Sequence, residues 1–301
     1  MIEITGLKKS FGEKVVLDDL TFAVPSGEIY GLLGPNGAGK TTIINILCNL
    51  LESDGGGSVR VKGKRVTEAT KHLLGIVSQE VAVYRDLTCL ENLRFFAGLY
   101  GLRGAQKEKH ADALIRAFRL TEYATTKVAN LSGGWQRRVH IAIAAVHSPE
   151  ILILDEPTAG LDVEARFELW ELIENLRSMG VTILLTTHYL EEAERLCSRI
   201  GILMNGRMVA EGSLAELLAM IPAVELAVVR SEDEQAICQR AASLGWEHRH
   251  YGGQLAFWLA RRFTLKEVVE AFDGLPLSSV SLQPVKLEHV YVEVSQKENL
   301  A

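Results

Sequence analysis

The sequence lacks a hydrophobic run long enough to cross a membrane, and it lacks an excess of basic residues. Its longest apolar stretches, such as 141–146 and 181–185, are far shorter than the roughly 20 residues of a membrane-spanning helix. Lys and Arg number 32 against 38 Asp and Glu, which gives a formal net charge of −6. A nucleic-acid partner usually requires a basic footprint. We therefore expect no transmembrane segment and no nucleic-acid partner.

Cysteine is scarce and scattered. The chain has four cysteines, none of them in a CxxC pair, at Cys48, Cys89, Cys197 and Cys238. This spacing favours reduced, buried thiols in a cytoplasmic protein over a metal site or a disulfide framework. The first residues, Met1-Ile2-Glu3-Ile4, do not have the basic and then apolar form of a signal peptide, so we expect none. No internal repeat or low-complexity tract is present.

The length and composition are those of a globular protein of about two domains. The chain has 301 residues, of which 48% are hydrophobic and 23% charged. This length is sufficient for a substantial core and sets a prior of about two domains.

The most specific pattern is a glycine-rich loop between a predicted strand and a predicted helix. Residues 34–41 read G-x-x-x-x-G-K-[ST], after the mostly apolar run 28–33. The glycines let successive backbone N–H groups turn toward a phosphate, and the helix N-terminus adds positive potential. Lys40 would neutralise the outer phosphates, and Thr41 would offer its hydroxyl to magnesium.

Polar groups also follow three other predicted strands. Gln79 follows strand 73–78, Asp155 and Glu156 follow the apolar run 151–154, and His188 follows strand 181–187. Two carboxylates at a buried strand end are costly without a partner, which favours a bound cation. Asp155 would hold magnesium, and Glu156 would polarise the attacking water as a general base. Gln79 is either solvated or reaches the metal or water, and His188 is either structural or part of the site.

Two shorter patterns have both a structural and a functional interpretation, and a third is a turn. Leu131-Ser132-Gly133-Gly134 precedes helix 135–146, as an ordinary N-cap or as a second anion site. Asp162 ends a tight turn before helix 164–178. Phe11 lies in a predicted loop, where an aromatic ring is either a partly buried hydrophobe or a flat surface for a purine.

The remaining patterns divide the chain. Short strands are predicted at 2–5, 15–17, 20–24 and 58–61, and helices at 91–100, 105–120 and 135–146. Asn205-Gly206 predicts a hairpin, and Ser213 with Glu216 predicts a capped helix. The tail has the order strand 224–230, helix 232–244, strands 246–250 and 254–259, helix 265–272 and strand 279–285. This β-α-β-β-α-β order is ferredoxin-like, and segment 287–294 is helix or strand.

The motifs, taken in this order, resemble the ATP-binding-cassette (ABC) ATPase family over residues 1 to about 220. The resemblance implies an α/β fold: a P-loop NTPase core of ABC type with an antiparallel β subdomain and a helical subdomain at about 86–146. A small α+β domain, ferredoxin-like by the pattern above, would follow. The expected domains are thus 1–220, the ABC ATPase domain, and 221–301, a C-terminal accessory domain.

The family resemblance also implies that two cassettes pair head to tail with two ATP molecules between them. The residues it assigns to ATP on one chain are Phe11, Val16, Gly34, Pro35, Asn36, Gly37, Ala38, Gly39, Lys40, Thr41 and Thr42. From the opposite chain, Ser132, Gly133 and Gly134 would contact the same ATP, and Asp162 would contact the partner cassette. Thr41, Gln79 and Asp155 would serve Mg²⁺. Lys40, Gln79, Glu156 and His188 would act in catalysis, which in phosphoryl transfer is mainly positioning and charge neutralisation.

One residue departs from the family pattern. Trp135 stands where the signature commonly has Gln, and an indole cannot reproduce the contacts of an amide. A regulatory, weakly catalytic subunit of a heteromeric complex therefore stays open, as does a soluble non-transport ABC ATPase.

Two segments suggest a branch of the family. Residues 184–195 and 287–294 resemble the drug-export branch typified by the daunorubicin-resistance ATPases. This resemblance implies a separate integral membrane permease that holds a homodimer of cassettes at the cytoplasmic face of the membrane. The C-terminal domain would regulate, dimerise or add packing surface.

Overall fold

The computed structural model describes residues 1–300, which form two compact units. The first runs from residue 1 to 211, and the second begins at Gly212. None of the helices within these described residues combines the length and apolar character needed to span a bilayer.

An antiparallel sheet opens the first unit. Its strands, in the order β2-β1-β4-β5, are β1 (Ile2–Phe11), β2 (Lys14–Val24), β4 (Ser58–Val61) and β5 (Lys64–Arg65). β1 is longer than predicted, and the loop assignment of Phe11 is wrong: it is the last residue of β1 and pairs with Lys14. The connection needs only two residues, because Gly12 adopts the left-handed conformation that a tight hairpin requires (φ 60°).

A six-stranded sheet forms the centre of this unit. Its order is β10-β9-β3-β8-β7-β6, and β9, β3, β8, β7 and β6 are mutually parallel. The strands are β3 (Ile29–Leu33), β6 (Leu74–Val77), β7 (Ile151–Asp155), β8 (Thr182–Thr187), β9 (Arg199–Met204) and β10 (Arg207–Gly212). Every residue of β3, β7 and β8 is buried, which is why these strands read as continuous apolar runs.

The helices of the first unit lie where their periodicity predicts. They are α1 (Lys40–Leu47), α2 (Cys89–Leu99), α3 (Gly104–Ala117), α4 (Gly133–Ala144), α5 (Val163–Ser178) and α6 (Leu190–Leu196). α3 ends three residues before the predicted boundary at 120, and Arg119 in the left-handed conformation (φ 53°) terminates that turn. The hairpin at Asn205-Gly206 is confirmed, with positive φ at both positions.

The second unit has the predicted ferredoxin-like topology. Its elements are α7 (Leu214–Leu218), β11 (Glu225–Arg230), α8 (Glu234–Ser243), β12 (His248–Tyr251), β13 (Gln254–Leu259), α9 (Leu265–Ala271), β14 (Ser279–Pro284) and α10 (Leu287–Leu300). The strand order is β12-β13-β11-β14, and all neighbours are antiparallel. A core that includes Phe257 and Phe272 lies between the sheet and the helices α8 and α9.

The second unit also shows the structure of segment 287–294 and the position of the helix after Ser213. Segment 287–294 is helical, as the first part of α10. The predicted capping box of Ser213 and Glu216 begins α7, which contacts α10. For that reason the compact units divide before α7, whereas the sequence pattern places this helix in the first domain.

The four cysteines are free, and all except the half-buried Cys238 are buried. Burial raises the pKa of the Cys48 thiol to about 12 and that of Cys89 to about 11, which keeps both protonated at neutral pH. This agrees with inert core thiols.

Candidate active site

The predicted site residues gather at one edge of the six-stranded sheet. β3, β8, β7 and β6 are consecutive neighbours and run parallel, so their carboxyl ends meet at that edge. The glycine-rich loop follows β3, His188 follows β8, Glu156 follows β7, and Gln79 lies two residues after β6. Sheet topology therefore brings together groups that are more than 100 residues apart in the chain.

The glycine-rich loop curls around the ammonium group of Lys40. Gly37 and Gly39 adopt positive φ (83° and 109°), and a Cβ on Gly39 would lie 2.6 Å from Leu17 Cδ2. Lys40 Nζ donates to the carbonyl oxygens of Gly34 at 2.6 Å and Pro35 at 3.1 Å. The loop thus has the conformation in which backbone N–H groups and one cation face a common centre.

A cavity of about 350 Å³ lies against this loop. Its lining residues are Lys14, Val16, Asn36, Gly37, Gly39, Lys40, Thr41, Thr42, Gln79 and Glu156. All except Lys14 belong to the predicted set. Lys14 was missed because a lone lysine in a hairpin carries no pattern, although its position two residues before Val16 puts a positive charge at the cavity.

Two carboxylates are buried beside this cavity, and each oxygen of both has a partner. Thr186 Oγ1 donates to Asp155 Oδ1, and Thr41 Oγ1 donates to Asp155 Oδ2 at 3.4 Å. Glu156 Oε1 lies 3.4 Å from Lys40 Nζ, and Glu156 Oε2 lies 3.0 Å from His188 Nδ1. Asp155 is 6% exposed and Glu156 7%. These partners offset the cost of burying two adjacent negative groups.

The backbone of Glu156 is held in an uncommon conformation. Its φ is 47°, in the left-handed region that non-glycine residues seldom adopt. The N–H of Glu156 donates to the carbonyl of Thr186 at 3.0 Å and to its hydroxyl at 3.2 Å. Thr186 of β8 therefore holds the turn in place. A left-handed backbone conformation at a non-glycine residue costs about 1–3 kcal/mol, and such residues cluster at functional sites.

The oxygen donors beside the cavity suit magnesium. Thr41 offers a hydroxyl, Asp155 a carboxylate and Gln79 an amide, and the Thr41 and Asp155 oxygens are already within 3.4 Å of each other. Hard oxygen ligands of this kind, few in number and beside a phosphate site, are those that Mg²⁺ takes from proteins. The residues present fit the ion that the sequence predicts.

The remaining predicted residues lie outside the cavity lining. Phe11 is 52% exposed, with Lys9 Nζ 5.5 Å from its ring centre. Ser132 is the N-cap residue of α4, and Gly133 and Gly134 form the first turn of that helix. Asp162 is the N-cap of α5 and accepts a hydrogen bond from the Ala165 N–H at 2.8 Å.

Trp135, the departure from the signature, is engaged inside its own subunit. Its ring centre lies 4.4 Å from that of Tyr123, and the Arg138 guanidinium lies 4.5 Å from its ring. Arg138 in turn donates to Glu168 of α5 at 2.9 Å. The indole is therefore part of a stack that joins α4 to its neighbours.

A buried arginine links α4 to Gln79. Arg137 Nη1 donates to the Ser78 carbonyl at 2.8 Å, and Nη2 donates to the Gln79 carbonyl at 2.7 Å. Burial lowers the pKa of this guanidinium from its ordinary value, although arginine stays charged at neutral pH. No motif marks Arg137, because its role depends on a contact about 60 residues away.

Comparison with known proteins identifies the family. The model of the ABC transporter family matches residues 17–159. Linearmycin resistance ATP-binding protein LnrL of Bacillus subtilis (strain 168) is 41% identical over 224 residues, covering 73% of this chain and 72% of that protein. Nod factor export ATP-binding protein I of Ralstonia nicotianae is 35% identical over 306 residues, covering 99% and 94%. The chain belongs to the ABC transporter ATP-binding family.

Solved structures of ABC cassettes share the fold of this chain. An ATP-binding subunit of an ABC transporter, 35% identical, superposes with a TM-score of 0.64 over 73% of this chain and 92% of that one. A dimeric ATP-binding cassette in a post-hydrolysis state with ADP and phosphate, 27% identical, gives 0.62 over 71% and 98%. The resemblance noted from the motifs is confirmed: this ABC cassette binds and hydrolyses ATP as the ATPase subunit of a transporter.

We expect the Arg137 contact to matter for turnover. Arg137→Met leaves the Ser78 and Gln79 carbonyls without their donor, so Gln79 loses its fixed position. The kcat for ATP should fall about tenfold, equivalent to about 1.4 kcal/mol, while the affinity for ATP stays within about threefold, since the phosphate loop is untouched.

Arg119→Met is the matched control, because the Arg119 guanidinium is exposed and contacts Glu171 at 3.5 Å, away from Gln79 in the sequence. Steady-state kinetics and nucleotide-binding titrations of the unmodified protein, Arg137→Met and Arg119→Met would test this expectation. Equal kcat values for Arg137→Met and Arg119→Met would contradict the role assigned to Arg137.

Proposed function

We propose that the chain powers export through a separate membrane permease, as one of two identical cassettes that enclose two ATP molecules with Mg²⁺. One observation carries this proposal. The cavity contains the phosphate loop and the Glu156 carboxylate, while the Ser132-Gly133-Gly134 segment of the same chain is absent from its lining. Each nucleotide therefore needs a second chain to complete its surroundings.

The Ser132 segment has the properties of a complementary half. Ser132 is exposed, and its side chain makes no hydrogen bond to its own helix. The first N–H groups of α4 have no intrahelical partner, and they favour an anion at this end. A related cassette was solved as a dimer with ADP and phosphate, which supports a head-to-tail pair here. Asp162, at the start of α5, would then contact the partner.

The proposed chemistry assigns one task to each polar group. Lys40 neutralises the outer phosphates. These phosphates compete with the Gly34 and Pro35 carbonyls for the Lys40 ammonium group. Glu156 accepts the proton of the attacking water, and His188, 3.0 Å from Glu156, contacts the γ-phosphate. Thr41, Gln79 and Asp155 would hold Mg²⁺, which when bound neutralises charge on the phosphate oxygens.

The adenine ring has a candidate surface on the β1–β2 hairpin. The Phe11 ring is half exposed, Lys9 approaches it, and Val16 lines the cavity. An exposed aromatic ring next to a phosphate site offers a purine a stacking surface at low conformational cost. We assign adenine to Phe11 and the adjoining part of the nucleotide to Val16.

Export is favoured by the relatives. The similar proteins are named for resistance to linearmycin and for export of Nod factor, and one of them aligns with 99% of this chain. Movement of such compounds needs membrane-spanning segments, which we assign to a separate permease. Attachment to that permease would hold the cassette at the cytoplasmic face of the membrane.

An exposed aromatic patch is the surface we assign to the permease. It consists of Tyr84, Phe95 and Phe96, with Tyr84 49% and Phe95 41% exposed and their ring centres 4.8 Å apart. The buried Asn92 fixes the patch, because its amide exchanges hydrogen bonds with the backbone of Tyr84 at 2.9 Å in both directions. Tyr84 follows Gln79 by five residues. A partner bound to the patch would therefore contact a segment that is close in sequence to a residue of the nucleotide site.

The split site makes hydrolysis depend on protein concentration. We expect the specific ATPase activity of the isolated subunit to rise with concentration over a dilution series and then to plateau, because a monomer has only half of each site. A coupled assay at saturating ATP and Mg²⁺ measures this. Activity per molecule that stays constant over a 100-fold range of concentration, with the protein monomeric throughout, would overturn the proposal.

Substitution of the proposed base should trap the pair. Glu156→Gln keeps the size of the side chain but cannot accept the proton, so turnover should fall by about 10²–10⁴-fold. ATP then stays bound, and size-exclusion chromatography with light scattering should show a dimer in ATP and Mg²⁺. Glu232→Gln, the same change at an exposed residue of the second unit, should leave turnover near that of the unmodified protein; a monomeric Glu156→Gln protein under these conditions would contradict the assignment.

The permease surface can be tested on solubilised membranes. Phe95→Asp places a charge in the aromatic patch, so the tagged chain should retain at least about tenfold less of its integral membrane partner, identified by mass spectrometry. Val269→Asp, an equally exposed apolar position in the second unit (42% exposed), is the control. Equal recovery of the partner with both variants would exclude the patch as the contact surface.

A further inference from the structure

A fully buried glutamate lies behind the site. Glu192 is on α6, and its side chain has no exposed surface. Glu192 Oε1 accepts hydrogen bonds from the Thr158 hydroxyl at 2.7 Å and from Trp170 Nε1 at 3.0 Å. Among residues 1–300, Oε2 has no hydrogen-bond partner of ordinary geometry. A carboxyl group buried in this way is costly, so its retention calls for a physical reason.

The hydrogen bonds of Glu192 join two segments that carry the reacting groups. Thr158 lies two residues after Glu156, in the turn between β7 and α5, and is itself fully buried. Glu192 lies four residues after His188, as the third residue of α6 in the segment that follows β8. The Thr158–Glu192 bond thus spans the same two segments as the 3.0 Å contact between Glu156 and His188.

The surroundings of Glu192 act on its pKa in both directions. Burial raises the pKa of this carboxyl, and the Thr187, Thr158 and Trp170 side chains and the Arg166 guanidinium act in the opposite direction. Oε1 accepts the hydrogen bonds from Thr158 and Trp170 whether or not the carboxyl is protonated, so no proton has to be exchanged with the reacting groups for these bonds to persist.

We propose that Glu192 is a positioning residue for ATP hydrolysis, which through Thr158 fixes the turn that carries Glu156 relative to the segment that carries His188. The inference rests on the roles proposed above for those two side chains. The turn needs such support, because Glu156 adopts a left-handed backbone conformation that the surrounding contacts must maintain. Thr186 holds the N–H of Glu156, and Thr158 holds the far side of the same turn.

The test separates the bond to Thr158 from the burial of Glu192. Thr158→Val removes the donor hydroxyl and keeps the shape of the side chain, and Glu192→Ala removes the acceptor. Both should lower kcat by at least about tenfold and leave KM for ATP within about threefold, since small displacements of reacting groups lower turnover without touching the phosphate loop. Because both changes break one bond, the double variant should be no slower than the slower single variant.

Two further variants serve as controls. Glu192→Gln keeps an acceptor oxygen for the Thr158 hydroxyl, so it should restore at least half of the kcat. Trp170→Phe removes the Nε1–H donor on α5 and reduces the volume of a buried side chain; it should lower the thermal unfolding temperature while kcat stays within about twofold. All are measured on the full chain, at a concentration where the unmodified protein is fully dimeric.

The outcomes are distinct. Thr158→Val with an unchanged kcat, or with a change only in KM, would overturn the inference, even if Glu192→Ala failed to fold. A loss of kcat in Trp170→Phe equal to that in Thr158→Val would also overturn it, because stability alone would then explain the effect. If Glu156→Gln, measured alongside, turns over ATP at the unmodified rate, it is the proposed function that fails.

Discussion

The burial of two adjacent carboxylates at the end of β7 is the constraint on which the first unit depends. An Asp–Glu pair in this position is stable only when every oxygen has a partner. The partners come from three different neighbours along the sheet and loop: Thr41 and Lys40 at the start of α1, Thr186 on β8, and His188 beyond it. The contacts that offset the burial of the carboxylates therefore also align the groups to which we assign hydrolysis.

This alignment relies on a second set of buried polar contacts. Arg137 donates to the carbonyls beside Gln79 from α4, and the Glu192 carboxyl accepts from the turn after Glu156. Both are large polar side chains with almost no exposed surface, and both bond to segments that end strands of the central sheet. Because Ser132 is the N-cap of α4, the Arg137 contact also joins the helix that begins at the segment assigned to the partner's nucleotide to the segment of Gln79.

The helices, strands and turns were predicted well, because they depend mainly on the residues within each segment. The phosphate loop, the hairpin at Asn205-Gly206 and the ferredoxin-like order of the tail follow from glycine placement and from periodicity, and each is found. Patterns within one segment could not reveal Arg137 or Glu192, since the partners of these residues lie far away in the sequence. Phe11 was assigned to a loop because its residue type says nothing about how tight a hairpin turn Gly12 permits.

Trp135 shows how such distant contacts change the interpretation of a motif. Read from the sequence, an indole in the signature weakens the case for catalysis, because it replaces an amide. In the fold, Tyr123 and Arg138 occupy the two ring contacts of Trp135, and Arg138 extends the stack to Glu168 on α5. The substitution therefore serves the packing of α4 against its own subunit. Ser132 and Gly134 precede this stack at the start of the helix, so we retain them as the proposed contacts to the partner's nucleotide.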